Sequence, residues 1–275
     1  MCNNNNRSDM RPASDDEKKA LGVPPAYTNV LVATDPSADL IATATITTPS
    51  GKQKTFYRYS ATFIAKQAAR KFSRVKRLAK RIDRIEARVA RDCLAKPEAM
   101  CLRLILQTGI RIGNPHQGEK ESFGAATLLT RHASVTGDVV RLQFTGKKQV
   151  EQDMSFSDSV LAGYIQHRQA SGEQELFPVA ANSVLRYAKS IGAAKVHDFR
   201  TLRAMVLADA LLEELSKEGP PTTKKEAKLI KKAVATEVAR ALGNSPAQAI
   251  KSYIEAHVWP GVTPEVEEDP QSGRP

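Results

Sequence analysis

Val139-Val140-Arg141-Leu142-Gln143-Phe144-Thr145-Gly146-Lys147-Lys148-Gln149-Val150-Glu151-Gln152-Asp153-Met154-Ser155-Phe156 decides how this chain is built. Its apolar and β-branched residues predict strands over residues 132–135, 139–144 and 149–156. Thr136-Gly137-Asp138 and Gly146-Lys147-Lys148 supply the turns. The flanking sequence is helical in period: Phe72, Val75, Leu78, Ile82, Ile85 and Val89 recur at three and four on one side. Leu202, Val206, Leu207, Ala210 and Leu211 do so on the other. A small three-stranded sheet set in a mainly helical domain is the expected core of the molecule.

A second sheet is expected further toward the N-terminus. Short β-branched runs at residues 29–34, 40–48 and 54–59 are separated by Asp35-Pro36-Ser37 and Pro49-Ser50-Gly51. The fold class is therefore α+β: a small N-terminal antiparallel β-sheet domain and a larger, mainly α-helical domain carrying the three-stranded hairpin sheet. The expected boundaries are a disordered tail at 1–19, the β-rich domain at 20–77, the helical domain at 78–260 and a second disordered tail at 261–275. The first tail is Asn-rich, polar and charged, without a signal-peptide core, and the second is rich in Pro, Glu and Asp. No apolar run approaches a membrane span, so a soluble, cytoplasmic protein, nucleoid-associated in a bacterium, is expected.

With 275 residues and a net charge of +11, the chain favours a polyanionic partner, because clustered Lys and Arg release counterions when they meet phosphates. A basic solubilising surface, RNA or an acidic membrane are the alternatives that charge leaves open. Cys2, Cys93 and Cys101 have no metal-ligand spacing and fit a reducing compartment. Residues 66–92 hold 11 basic residues against Asp83, Glu86 and Asp92. Such a run is either a solvated helix face or a phosphate-contacting one. Its place at the expected domain joint near Arg77 makes Lys66, Arg70 and Lys71 candidates for a DNA channel. In Phe56-Tyr57-Arg58-Tyr59, strand alternation puts Tyr57 and Tyr59 on one face and Phe56 and Arg58 on the other.

Four further stretches carry chemistry: Gly109-Ile110-Arg111-Ile112-Gly113-Asn114, Thr145-Gly146-Lys147-Lys148, His197-Asp198-Phe199-Arg200-Thr201, and Leu242-Gly243-Asn244-Ser245-Pro246 continuing to Lys251-Ser252-Tyr253. Arginine offers a planar fork for two phosphate oxygens, and flanking glycines let the Arg111 backbone approach DNA closely. Arg200, near the start of a helical pattern, would share a phosphate with the helix N-terminus. Taken singly, each has a bland reading: an arginine at a helix end, a lysine in an exposed turn, a half-buried helical tyrosine. In residues and order, the set resembles the catalytic stretches of type IB DNA topoisomerases of the poxvirus and bacterial kind, over about residues 24–258.

The resemblance implies roles. Tyr253 would be the nucleophile, Lys147 at the hairpin tip the general acid, and Arg111, Arg200 and Asn244 the donors that hold the phosphorane. His197 would be an additional donor. Asn244 matches the bacterial enzymes, where the poxvirus ones have His. Pro24-Pro25-Ala26-Tyr27 and the aromatic strand look like the N-terminal clamp domain, which moves Tyr57, Arg58 and Tyr59, with the nearby Lys54, toward DNA contact. The implied partner is double-stranded DNA, clamped by a monomer, and neither ATP nor a metal ion is implied. Two departures stand out: His197 replaces a usual Lys, giving the His-x-x-Arg of tyrosine recombinases, and Gln117 is nearest to where an aromatic is common. A tyrosine recombinase or a non-catalytic DNA-binding module are the alternative readings.

Overall fold

A computed structural model describes residues 9–49, 51–114, 121–217, 219–254 and 259. The chain divides into two compact units, Met1–Lys71 and Phe72–Pro275. The division falls between residues 71 and 72, inside a helix. Gln117 and the tail at 261–275 lie outside the described residues.

The first unit is a four-stranded antiparallel sheet in the order β1 (Met10–Pro12), β2 (Thr28–Ala33), β3 (Leu40–Thr47), β4 (Gln53–Tyr59). The strands expected at 29–34, 40–48 and 54–59 are present with ends shifted by a residue, and β1 is new. A disordered 1–19 is therefore corrected over its described part. Met10 pairs with Ala33, and helix α1 (Asp15–Ala20) follows at once. Its order comes from Ser14-Asp15-Asp16-Glu17, a capping box in which each end satisfies the other: Glu17 N donates to Ser14 Oγ and Ser14 N to Glu17 Oε2. Glu17 also takes two hydrogen bonds from Arg11, which with Ser14 holds its carboxyl down to about 2. A polar composition hid a short motif with its own local partners.

Helix α2 (Ala61–Ala79) leads from the sheet into the second unit, where α3 (Ile82–Asp92) and α4 (Pro97–Thr108) follow. The single helical run of residues 66–92 is thus two helices with a break at Lys80 and Arg81. Helix α4 is the spine of the core, with Met100, Cys101, Leu102, Leu104 and Ile105 all buried. Pro97 occupies its first turn and Gly109 ends it at φ 67°, the left-handed conformation glycine adopts without a Cβ penalty.

The three-stranded sheet is β5 (Ala133–Thr136), β6 (Val139–Gly146) and β7 (Val150–Ser157), antiparallel in chain order. Gly146 pairs with Val150, and Lys147–Gln149 form the tip as a 3-10 turn. Val140, Leu142 and Phe144 alternate inward to the core while Arg141 and Gln143 face out to Asp153. Helices α5 (Ser159–Ala170) and α6 (Ala181–Ser190) cover this core. A second apolar cluster joins α7 (Val196–Ser216), α8 (Lys224–Leu242) and α9 (Pro246–Ser252) through Ala204, Ala208, Val238, Leu242 and Tyr253. The described structure has the α+β architecture expected from the sequence.

Two carboxylates hold the second unit together. Asp158 caps α5 through Val160 N and Leu161 N, and accepts Arg103 Nε at 2.8 Å and Nη2 at 3.0 Å with its side chain fully buried. Asp158→Ala strands a mostly buried guanidinium and two helix N–H groups. We expect a loss of about 3–5 kcal/mol, read from urea unfolding, and a change below about 1 kcal/mol would contradict this account.

Asp92 Oδ2 accepts Lys96 Nζ at 2.9 Å, Arg88 Nε at 3.0 Å and the Tyr187 hydroxyl at 3.1 Å, tying α3 to α6. These bonds hold its carboxyl down to about 2. A depressed folded value means the stabilisation is complete above the ordinary carboxylate range near about 4 and is lost as pH falls through about 2. The urea midpoint of Asp92→Asn is therefore expected to lie below that of the parent at pH 6 and to converge on it between pH 4 and 2. A gap as wide at pH 2 as at pH 6 would show that ionisation of Asp92 is not what stabilises.

Candidate active site

Arg111 lies two residues beyond the Gly109 cap, on a segment with no helix or strand of its own. Backbone bonds fix it instead: Ala125 N donates to Arg111 O and Ala126 N to Ile112 O. Phe123 N in turn donates to Thr145 O on β6, so the Arg111 segment is tied to the hairpin carrying Lys147 through one short loop. The glycines serve this packing. The space beside Gly109 is taken by Arg203 and Leu242, and that beside Gly113 by Gly124 and Thr127.

Arg200 is the fifth residue of α7 and is buried. Its guanidinium turns inward, donating Nη1 to Gly109 O at 2.7 Å, Nη2 to Leu242 O and Nε to the Tyr253 hydroxyl at 3.3 Å. Burial draws the group below the ordinary arginine range. The nearby phenol opposes that shift and the Arg111 charge adds to it. Arg111 Nη2 donates to the same Tyr253 hydroxyl at 3.2 Å. Two guanidiniums therefore converge on one phenolic oxygen contributed by residues 142 and 53 positions away. Tyr253 is 2 % exposed. It sits at the C-cap of α9, a helix begun by Ser245 as N-cap and Pro246 in its first turn.

His197 is exposed on α7, its ring 5.7 Å from that of Tyr253. Asn244 follows the left-handed Gly243 that ends α8, and its buried Nδ2 has no hydrogen-bond partner. An unmet buried donor at a helix junction costs free energy, and a bound acceptor would recover it. Lys147 is exposed at the hairpin tip and lines both clefts of the region together with Arg111 and Arg200. One, of about 780 Å³, also takes in His197; the other, of about 560 Å³, takes in Asn244. Arg111, Lys147, Arg200, Asn244, Tyr253 and His197 are thus gathered in one region of the second unit.

The remaining candidates lie in the first unit. Tyr57, 43 % exposed, lies beside Tyr59 with ring centroids 6.4 Å apart, and Tyr59 stacks on Phe63 at 4.8 Å. Lys54 and Arg58 are exposed but belong to the opposite face of β4, with Phe56, which packs edge-on against Tyr27. Lys66 and Arg70 are exposed four residues apart on α2, while Lys71 is half-buried.

Sequence reasoning missed three features. Arg74, counted in the basic run, makes a two-point pair with the buried Asp198 at 3.1 Å for both bonds, anchoring the first turn of α7 two residues before Arg200. A carboxylate in the first turn also suits the helix dipole. The larger cleft extends to Arg186, Lys189 and Lys195, and no Asp or Glu is among its described lining residues. The amphipathic stretch 181–190, with Ala181, Val184 and Ala188 buried and no acidic residue, signals that basic face. Gln152 lines the smaller cleft.

The site thus holds a buried phenol bonded by two guanidiniums, beside a lysine and an amide, and no Asp or Glu is among the described lining residues of either cleft. Among the described residues no three His, Cys, Asp or Glu side chains are grouped to hold a metal ion, and no helix is long and apolar enough to cross a membrane. The chain is 26 % identical over 262 residues to a DNA topoisomerase 1B of Acanthamoeba polyphaga mimivirus, covering 85 % of this chain and 75 % of the relative. Residues 60–258 match the family described as the catalytic core of eukaryotic DNA topoisomerase I, which is most of the chain and includes every residue of the site above. The chain belongs to the DNA topoisomerase I family.

Proposed function

We propose that this DNA topoisomerase relaxes supercoils by the type IB route: transient cleavage of one strand through a 3′-phosphotyrosyl link, rotation and religation. The observation that carries the reading is the convergence of Arg111 and Arg200 on the Tyr253 hydroxyl, at 3.2 and 3.3 Å. Donors in this position favour a phenolate and then the added charge of the phosphorane. The Tyr253 oxygen bonds to phosphorus and the bond from phosphorus to the 5′ oxygen breaks. The leaving oxygen takes its electron pair and a proton from Lys147, offsetting the proton lost by the phenol. Asn244 Nδ2 donates to a non-bridging oxygen, which explains why it lacks a partner within the protein. His197 is a further donor.

Religation reverses these steps. The phosphotyrosyl ester conserves the energy of the broken bond, so the reaction needs neither ATP nor a metal ion to balance. In the first unit, Lys54, Tyr57, Arg58, Tyr59, Lys66, Arg70 and Lys71 supply duplex contacts, with Tyr57 and Tyr59 acting separately from Lys54 and Arg58 because they occupy opposite sheet faces. The protein acts as a monomer. The β-rich first unit favours this reading over a recombinase, whose N-terminal DNA-binding domain is normally helical.

The test is relaxation of negatively and positively supercoiled plasmid in EDTA without ATP. Relaxation of both signs is expected. Strand exchange between paired sites without relaxation would make the protein a recombinase, and DNA binding with neither activity would reduce it to a binding module.

A further inference from the structure

The Gln152 side chain has no part in the chemistry above, yet it lies between two of the residues that do. It is on β7 opposite Phe144, on the sheet face shared by Gly146 and Val150. Two glycines make room for it. A Cβ at Gly146 would come within 3.2 Å of Gln152 Cγ, and one at Gly243 would run into the terminal amide. Gly146 immediately precedes Lys147, and Gly243 immediately precedes Asn244. One side chain therefore rests on bare backbone at both places, bridging the hairpin tip and the junction of α8 and α9. Its own hydrogen bonds are long and local, from Nε2 to Glu151 O at 3.2 Å and Val150 O at 3.4 Å. Packing against the glycines, more than those bonds, fixes the amide.

The tip needs such a stop. Lys148 and Gln149 both take positive φ, 65° and 59°, without being glycine, and Lys147 through Val150 are exposed. We propose that Gln152 is a positioning residue: by bearing on Gly243 it holds the hairpin tip so that Lys147 meets the leaving 5′ oxygen. The inference rests on the general-acid role of Lys147 given above. A displacement of about 1 Å in such a group costs on the order of 10²-fold in rate. Gln152→Ala should therefore slow cleavage by about 10–100-fold with unchanged DNA affinity. Gln152→Met, which fills the same slot without an amide, should recover most of that loss.

The test uses the full-length protein and two oligonucleotide duplexes, one with the natural 5′ bridging oxygen at the scissile phosphate and one with sulfur there. A thiolate leaves with its electron pair without being protonated, so a defect that acts through the general acid disappears on the sulfur substrate. Lys147→Ala and Gln152→Ala should both be slow on oxygen and near the parental rate on sulfur. If Lys147→Ala recovers on sulfur while Gln152→Ala is equally slow on both, or is not slow on either, Gln152 does not position Lys147. If Lys147→Ala fails to recover, the general-acid assignment itself falls. Thermal melting establishes that Gln152→Ala is folded. Should it not be, Gln152→Met and Gln152→Ser enter the same comparison, and a graded loss from Met to Ser that sulfur does not erase overturns the proposal.

Discussion

Tyr253→Phe is expected to bind DNA like the parent and to form no covalent adduct, with relaxation reduced by more than about 10⁴-fold. The substitution removes one oxygen from a ring that is 2 % exposed and packed among Ala204, Ala208, Val238 and Leu242. Nothing in that packing depends on the hydroxyl. What depends on it is the pair of hydrogen bonds from Arg111 and Arg200. Without the phenolic oxygen the two guanidiniums still line the clefts, and phosphate binding survives or tightens slightly as they lose an internal partner. Filter binding and gel-based trapping separate the two effects. Weakened binding in step with lost relaxation would show that Tyr253 serves the fold or the DNA interface and is not the nucleophile.

Arg200→Lys carries the second large effect, on both activity and stability. The guanidinium spans three acceptors, Gly109 O, Leu242 O and the Tyr253 hydroxyl, from one buried position. A lysine ammonium is a compact charge without the planar fork and cannot reach all three. At least one buried carbonyl loses its donor, a cost of about 1–3 kcal/mol, and the Gly109 turn that leads to Arg111 loses its tie to α7. The cleavage rate is expected to fall by about 10²–10³-fold for the lost phosphorane donor, more if Arg111 shifts with the turn. Single-turnover cleavage together with urea unfolding gives both numbers. A stable, fully active lysine variant would mean that charge alone matters here and that the fork geometry does not.

These two effects have different origins in the sequence. The hairpin placing Lys147 at a turn was legible from alternation and from Gly146-Lys147-Lys148, and every strand but β1 falls within a residue or two of its expected ends. The helix stop before Asn244 was legible from Gly243 and Pro246. The gathering of Arg111, Arg200 and Tyr253 was not legible from periodicity at all, because no local pattern relates residues 53 or 142 positions apart. Only the resemblance to a family supplied it. For the same reason the Arg74–Asp198 pair, 124 residues apart, stayed hidden within a run that looked uniformly basic. The N-terminal strand and helix were missed for the opposite reason. Their signal, Ser14 and Glu17 three apart, was local and readable, but the surrounding composition outweighed it.

The same contrast explains the glycines. Gly109, Gly146 and Gly243 each precede a catalytic candidate by one or two residues, and the sequence reads Gly109 as room for DNA and the other two as turns. In the folded chain each makes room for a side chain of the protein: Arg203, or Gln152 in the other two cases. The sequence shows where a side chain is missing but not which neighbour fills the space.

The most direct test of the account is to trap the protein on a duplex labelled on one strand, digest it, and locate the nucleotide-bearing peptide by mass spectrometry. A single adduct at Tyr253, joined through the 3′ phosphate of the cut strand, is the predicted result. An adduct through a 5′ phosphate, or on any other residue, would contradict the assignment of the nucleophile and with it the roles given to Arg111, Lys147, Arg200 and Asn244.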